Sequence, residues 1–247
     1  MKLARVRNPE TGRIESGAVE GNTVDTESGV YPLEEIELLT PVKPGKIICV
    51  GLNYRDHITE RGSEVPERPS LFFKPASAVI GPNDPIRITE AERFDPEGEI
   101  AVVIGSICQN VDRTEVGDYI WGYTGLNDVT NRDAQEWEQN WVRAKGFDTS
   151  APLGPFLVTP DEIDLPISFE LEVNGKIRQA SDTSDLIFGF ADLIAEISSF
   201  MTLEKGDVVS TGTPEGVAPV KGGDRVKLKI DDVGVLENPV EYRSPPA

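Results

Sequence analysis

The sequence predicts a mainly β fold of the α+β class, a rolled sheet, sandwich or barrel-like body with a small β-rich segment in front of it. Three observations carry that expectation. Short alternating or apolar runs recur along the 247 residues, divided by 23 glycines and 19 prolines. One long stretch alone has a convincing helical stripe. Strands therefore dominate, which argues against a doubly wound α/β sheet.

Residues 1–41 contain "KLARVR", "RIESGAVEG" and "NTVDT", short pieces separated by Gly, Asn and Pro. "TPVKPGK" at 40–46 is the best boundary, so the chain divides into a segment 1–41 and a main body 42–247. The body continues through strands "IICVG", "SLFFKP", "EIAVVIG" and "YIWGYTGLND". "SFELEVNGKIRQ" follows, a hairpin turning at Asn174-Gly175, then "DVVSTGT" and "DRVKLKIDDVGVLENPV". The long helix is capped by Asp182, Thr183 or Ser184. Its stripe is Leu186, Ile187, Phe190, Leu193, Ile194, Ile197, Phe200 and Met201. Shorter helices are expected from near Tyr54 and Asn131.

Charge narrows the partners. With 43 acidic and 24 basic residues the net charge is −19, which disfavours nucleic acid and anionic membrane surfaces. The acids are dispersed and only 10 of the 24 basic residues are lysine; such a surface suits a high-salt cytosol, although an ordinary acidic protein reads the same way. Cys49 and Cys108 lie in or beside apolar runs and read as small buried side chains rather than as a disulfide or metal framework. No apolar leader and no 18-residue apolar span occurs, so the expected location is the cytoplasm.

"RFDPEGEIAVVIG" places Glu97 and Glu99 at the mouth of an apolar strand. Alternation puts Glu97, Glu99, Ala101 and Val103 on one face and Ile100, Val102 and Ile104 on the other. Two like charges there require either a solvated rim or a compensating cation or proton. Asp128, at the end of "GYTGLND", is a third strand-end carboxylate, suited to Mg²⁺ or Mn²⁺; it would equally cap the next helix. Arg132 and Gln135 follow at helical spacing. "NYRDHITE" holds the single histidine, and on a helix His57 and Glu60 share a face, where the carboxylate would orient the imidazole. A lone surface histidine beside an incidental glutamate is the plainer alternative. Lys145 sits in a Gly- and Pro-flanked loop, where lysines are usually solvated. "STGTPEGV" offers backbone N–H groups and Thr213 to an anion, or is a plain turn. No Gly-x-Ser-x-Gly elbow is present.

Together and in order, "NYRDHITE", "EGE", "GYTGLNDVTNRDAQ", "KGFDTSAPLGP", "VNGKIRQ" and "TGTPEGV" resemble the fumarylacetoacetate hydrolase family over roughly residues 42–240. The resemblance implies a mixed β-sandwich roll, generally dimeric. It implies Glu97, Glu99 and Asp128 as ligands of Mg²⁺ or Mn²⁺, His57 and Glu60 as a catalytic pair on a mobile lid, and Lys145 as the active-site lysine. Arg132, Gln135 and Thr213 become substrate contacts. Thr130 and Asn131 stand where relatives often have smaller residues, which blurs the substrate side only. The activity implied is metal-dependent chemistry on a 2-oxo acid through an enolate. It covers C–C hydrolysis of an acylpyruvate or fumarylpyruvate, decarboxylation or tautomerisation of oxaloacetate, isomerisation of a hydroxydienoate, and sugar-acid dehydration. The rivals are a non-catalytic β-roll binding protein and a metal-free hydrolase using Ser210 or Ser150. Removing Glu97 or Glu99 is expected to abolish metal-dependent turnover and to leave metal-free stability unchanged or higher.

Overall fold

The computed structural model describes residues 1–56 and 65–243. Its main body is a large sheet with one long hydrogen-bonded path of ten strands and two side branches, Glu37–Leu39 on Lys2–Arg7 and Val79–Ile80 on Ala151–Val158. From one edge the order is Gly29–Pro32, Thr23–Thr26, Ile14–Glu20, Lys2–Arg7, Ala151–Val158, Ile120–Asn127, Gly98–Ile104, Val208–Ser210, Ile47–Gly51 and Ser70–Lys74. Most neighbours are antiparallel, but Val208–Ser210 runs parallel to Ile47–Gly51, so the sheet is mixed. A second sheet contains Lys176–Asp182, Ser168–Val173, Arg225–Ile230, Gly234–Tyr242 and Ile86–Ile88. The mainly β expectation holds.

The N-terminal strands are not set apart from this body by hydrogen bonding. Lys2 and Leu3 pair with Val158 and Leu157, joining residues 1–41 to the main sheet. The central strand Gly98–Ile104 is buried along its whole length. Ile100, Val102 and Ile104 face a core shared with Leu171, Leu228 and Leu236 of the second sheet. Ala101 and Val103 face a separate cluster with Ile47, Leu126 and Leu153. The alternation read from the sequence is therefore correct, and the strand is covered on both faces. Asn174 and Gly175 both have positive φ, 53° and 75°, as the tight hairpin requires. Cys49 and Cys108 are buried and free.

The long helix is shorter than its sequence pattern. A helix spans Phe190–Phe200, and only a single 3₁₀ turn, Thr183–Asp185, precedes it. Asp182 does cap, but it caps that turn, accepting from the Ser184 N–H at 2.7 Å. Residues 186–188 are drawn out of helical geometry by Asn53. The Ile187 N–H donates to the Asn53 carbonyl at 2.8 Å, and the Phe188 N–H to Asn53 Oδ1 at 2.8 Å. The helix restarts at Gly189, whose N–H is held by Asp192 Oδ2 at 3.1 Å. Phe200, placed on the apolar stripe by periodicity, is exposed. Residues 55–56 are helical, as expected near Tyr54. Asn131 caps the Arg132–Trp137 helix through the Ala134 N–H, so Asp128 is released from the capping role.

Candidate metal centre

Three structural units deliver the acidic groups. Glu97 precedes the central strand, Glu99 lies one pleat further on the same face, and Asp128 ends the neighbouring strand. The Asp128 N–H donates to the Glu97 carbonyl at 2.8 Å, locking the two strand ends together. One ligand oxygen from each of Glu97, Glu99 and Asp128 lies within 4.8 Å of the other two. The residues are 5 %, 1 % and 0 % exposed, so the solvated rim is excluded and charge compensation must come from within.

Lysines and an arginine provide much of it. Lys145 Nζ donates to Glu97 Oε2 at 2.7 Å and to Asp128 Oδ2 at 2.5 Å. Lys74 Nζ donates to Asp128 Oδ1 at 2.5 Å from the other side. Arg132 bridges Glu97 Oε1 at 2.5 Å and Asp95 Oδ2 at 2.8 Å. Glu99 is treated differently. Its Oε2 accepts from the Ser210 hydroxyl and from the Gly212 N–H, the latter at 3.0 Å, but among the described residues it has no cationic partner. Arg93 also pairs with Asp95, at 3.0 Å, so Lys74, Arg93, Arg132 and Lys145 match Asp95, Glu97, Glu99 and Asp128 in number, yet none of the four forms an ion pair with Glu99.

The titration behaviour follows. Burial raises the Glu97 carboxyl, but Lys145 and Arg132 more than offset it and hold it well below the usual carboxylate range. Burial, followed by the negative charge of Asp128, pushes Glu99 up to about 8. Burial disfavours the Lys145 ammonium, yet Asp128 and Glu97 reverse this and raise its pKa above the ordinary value. A hard divalent cation fits this donor set. Both protein donors to Glu99 are taken up by Oε2, which leaves Oε1 for a cation, and Glu99, with no cationic partner among the described residues, is where added positive charge relieves most.

The cleft over this cluster is lined also by Leu52, Phe72, Gln135, Trp141 and Thr213. Its enclosed space is about 40 Å³, room for an ion and its water. Lys145 does not sit in a loop; it ends a one-turn helix, Val142–Lys145, and is buried. Its ammonium stands 4.8 Å from the centre of the Phe72 ring. Gln135 accepts from Arg132 at 2.9 Å and so orients it. Thr213 lines the cleft, but its hydroxyl donates to the Gly98 carbonyl at 3.0 Å and accepts from Gln179 at 2.8 Å. The Gly212 N–H of the Thr-Gly-Thr turn is spent internally, on the Glu99 carboxyl. His57 and Glu60 lie outside the described residues.

Lys74, Asp95 and Gln179 complete the centre without having been singled out as site residues in the sequence. Gln179 alone carried a signal, since it ends the "VNGKIRQ" motif; its Oε1 takes the Gly98 N–H at 2.9 Å. Ser210 and Ser150 are committed elsewhere, to Glu99 and to the Lys145 carbonyl.

Residues 46–241 match the family model described as fumarylacetoacetate (FAA) hydrolase, C-terminal. The chain belongs to the fumarylacetoacetate hydrolase family. An oxaloacetate tautomerase of Bacillus subtilis strain 168 is 40 % identical over 228 residues, covering 86 % of this chain and 76 % of its own. The structure of a 5-carboxymethyl-2-hydroxymuconate delta-isomerase from Mycobacterium smegmatis superimposes with a TM-score of 0.91 and 40 % identity, over 99 % of this chain and all of that one. A maleylpyruvate hydrolase from Sphingobium sp. SYK-6, in complex with manganese(II) and pyruvate, superimposes with a TM-score of 0.85 and 30 % identity, over 99 % and 100 % of the two chains. These family relatives are enzymes: a tautomerase, an isomerase and a hydrolase. Among the described residues no helix is long and apolar enough to cross a membrane.

Proposed function

We propose that this chain is a divalent-metal-dependent enzyme that interconverts the keto and enol forms of a small 2-oxo diacid of the oxaloacetate kind. The observation that carries the reading is Glu99, a buried carboxyl in contact range of two other carboxylates and without a cation of its own. The named activity of the B. subtilis relative supports the choice of reaction. When bound, Mg²⁺ or Mn²⁺ supplies Lewis-acid polarisation of a 2-oxo oxygen. Glu97, Glu99 and Asp128 would hold it. Lys145, kept protonated by Asp128 and Glu97, presents fixed positive charge to the negative charge that develops on the substrate oxygen. Arg132, braced by Gln135 and Asp95, fixes Glu97 and offers its remaining N–H donors to a substrate carboxylate. His57 and Glu60, the pair that the family resemblance assigns to acid–base work, would move the C3 proton between solvent and substrate.

The test follows the enol-to-keto conversion of oxaloacetate by ultraviolet absorbance, with and without EDTA, beside acylpyruvates, maleylpyruvate and hydroxydienoates. Metal-dependent acceleration of tautomerisation, faster than any C–C cleavage, is expected. Cleavage of an acylpyruvate or maleylpyruvate with no tautomerisation would replace this reading by hydrolysis, the activity named for the Sphingobium neighbour.

A further inference from the structure

The chain carries a second concave site, remote in character from the carboxylate centre. It lies where the N-terminal strands meet the body, encloses about 500 Å³, and is lined by Arg5, Arg7 and Lys43 with one acid, Asp84. For a protein of net charge −19 this is a local reversal of sign, and the acid does not cancel it. Asp84 Oδ2 is turned to the Gly81 N–H at 2.8 Å, and Arg7 alone has a carboxylate partner, Glu37 at 2.8 Å. Arg5 is partly buried, and its guanidinium bonds only Thr40, at the carbonyl (2.7 Å) and more distantly at the hydroxyl (3.3 Å). Among the described residues neither Arg5 nor Lys43 makes an ion pair. Burial without a counter-charge pushes the Arg5 pKa down. An arginine with five donors, two of its contacts spent on one threonine, has capacity for a bidentate carboxylate. The rest of the lining is apolar, with Leu39, Val42, Val79 and Ile80 beneath the cations.

We propose that this pocket binds a small aliphatic carboxylic acid, the carboxylate on Arg5 and Lys43 and the branched hydrocarbon body on Leu39, Val42 and Ile80. Its volume falls in the ordinary range for small-molecule sites. The ligand would touch both Arg5 of the first strand and residues 76–81 of the body, and so tie the two together. A peptide C-terminus ending in leucine offers the same carboxylate and branched body; the free acid is the occupant proposed.

The experiment titrates the EDTA-treated full chain with 4-methylpentanoate by calorimetry, with sulfate and N-acetylleucine as comparisons. The probe has no 2-oxo group and so no chelating pair for the carboxylate centre. One saturable site is expected, weakened about tenfold or more in Arg5→Met by loss of a charge-assisted pair and less in the exposed variant Lys43→Gln. Turnover at the metal centre should be unchanged in both. Absence of saturable binding, or unaltered binding in both variants, overturns the proposal. Sulfate binding as tightly overturns the apolar half of it, and tighter binding of N-acetylleucine overturns the free-acid form.

Discussion

Glu97 and Glu99 are two residues apart and do opposite things. Glu97 is compensated by Lys145 and Arg132, whereas Glu99 is not compensated by any described cation and stays protonated to about pH 8. Metal binding must therefore displace the Glu99 proton. Calorimetry in buffers of different ionisation enthalpy should show close to one proton released per ion at pH 6.5 and almost none at pH 9. Equal release at both pH values would remove Glu99 from the ligand set. The sign for folding is also fixed. A carboxyl whose folded pKa is raised binds its proton more tightly in the native state, so metal-free stability falls as pH climbs from the usual carboxylate range towards 8. The melting temperature of Glu99→Gln relative to wild type, in EDTA, should accordingly rise between pH 5 and pH 8. Glu97 behaves in the reverse sense, its contribution present at neutral pH and lost on acidification. The sequence expectation that either removal leaves metal-free stability unchanged or higher is thus revised for Glu97. Glu97→Ala leaves Lys145 and Arg132 buried beside a missing partner and should cost about 3–5 kcal/mol, read from chemical denaturation in EDTA.

At the scale of elements, Asn53 is the residue that periodicity could not reveal. Its side chain donates to the Phe188 and Thr211 carbonyls, at 3.0 and 2.8 Å, and accepts from the Phe188 N–H. Local helical preference over 182–189 gives way to this long-range anchor, which is why the stripe overran the true start at Phe190. Asn53→Ala should orphan one buried and two half-buried backbone groups and destabilise by about 1–3 kcal/mol, seen as a shift of the urea midpoint without a change in slope. The shared face of Glu97 and Glu99 was legible because strand alternation is local and has a period of two. Lys74 was not: a lysine ending an apolar strand reads as solvated, and only the fold brings it to Asp128, 54 positions away. Trp141 is a further case. It precedes the Lys145 helix in left-handed geometry, φ 55°, which a bulky side chain adopts at a cost of about 1–3 kcal/mol, and no sequence signal announces such strain. Its ring meets Phe72 edge-on at 5.7 Å. Trp141→Gly should keep its melting temperature within a few degrees, because relieved strain offsets lost packing, while turnover drops as Phe72, the ring beneath the Lys145 ammonium, loses its edge-on neighbour.

The whole molecule separates two kinds of electrostatics. Surface repulsion from a net charge of −19 is screened by salt, whereas the buried network of Lys145, Glu97 and Asp128 is not. The melting temperature should therefore climb between dilute buffer and molar KCl in wild type and in Glu99→Gln alike. A flat or falling curve would refute the high-salt reading of the composition and leave the metal centre untouched. The general architecture was legible from turn spacing and strand length. The joining of Lys2–Arg7 to Ala151–Val158 was not, since the pairing spans 156 positions between Lys2 and Val158 and no local pattern encodes it.

The central strand has one more consequence. Gly98–Ile104 is covered on both faces and flanked on both sides by hydrogen-bonded strands, so it belongs to the last part of the molecule to open. Amides of Ala101 to Val103 should be among the slowest to exchange with deuterium, and Glu99, riding on the same strand, shares that protection. The acid cluster then has no separate softening of its own. Heat should leave the placement of Glu99 intact until the entire fold is lost.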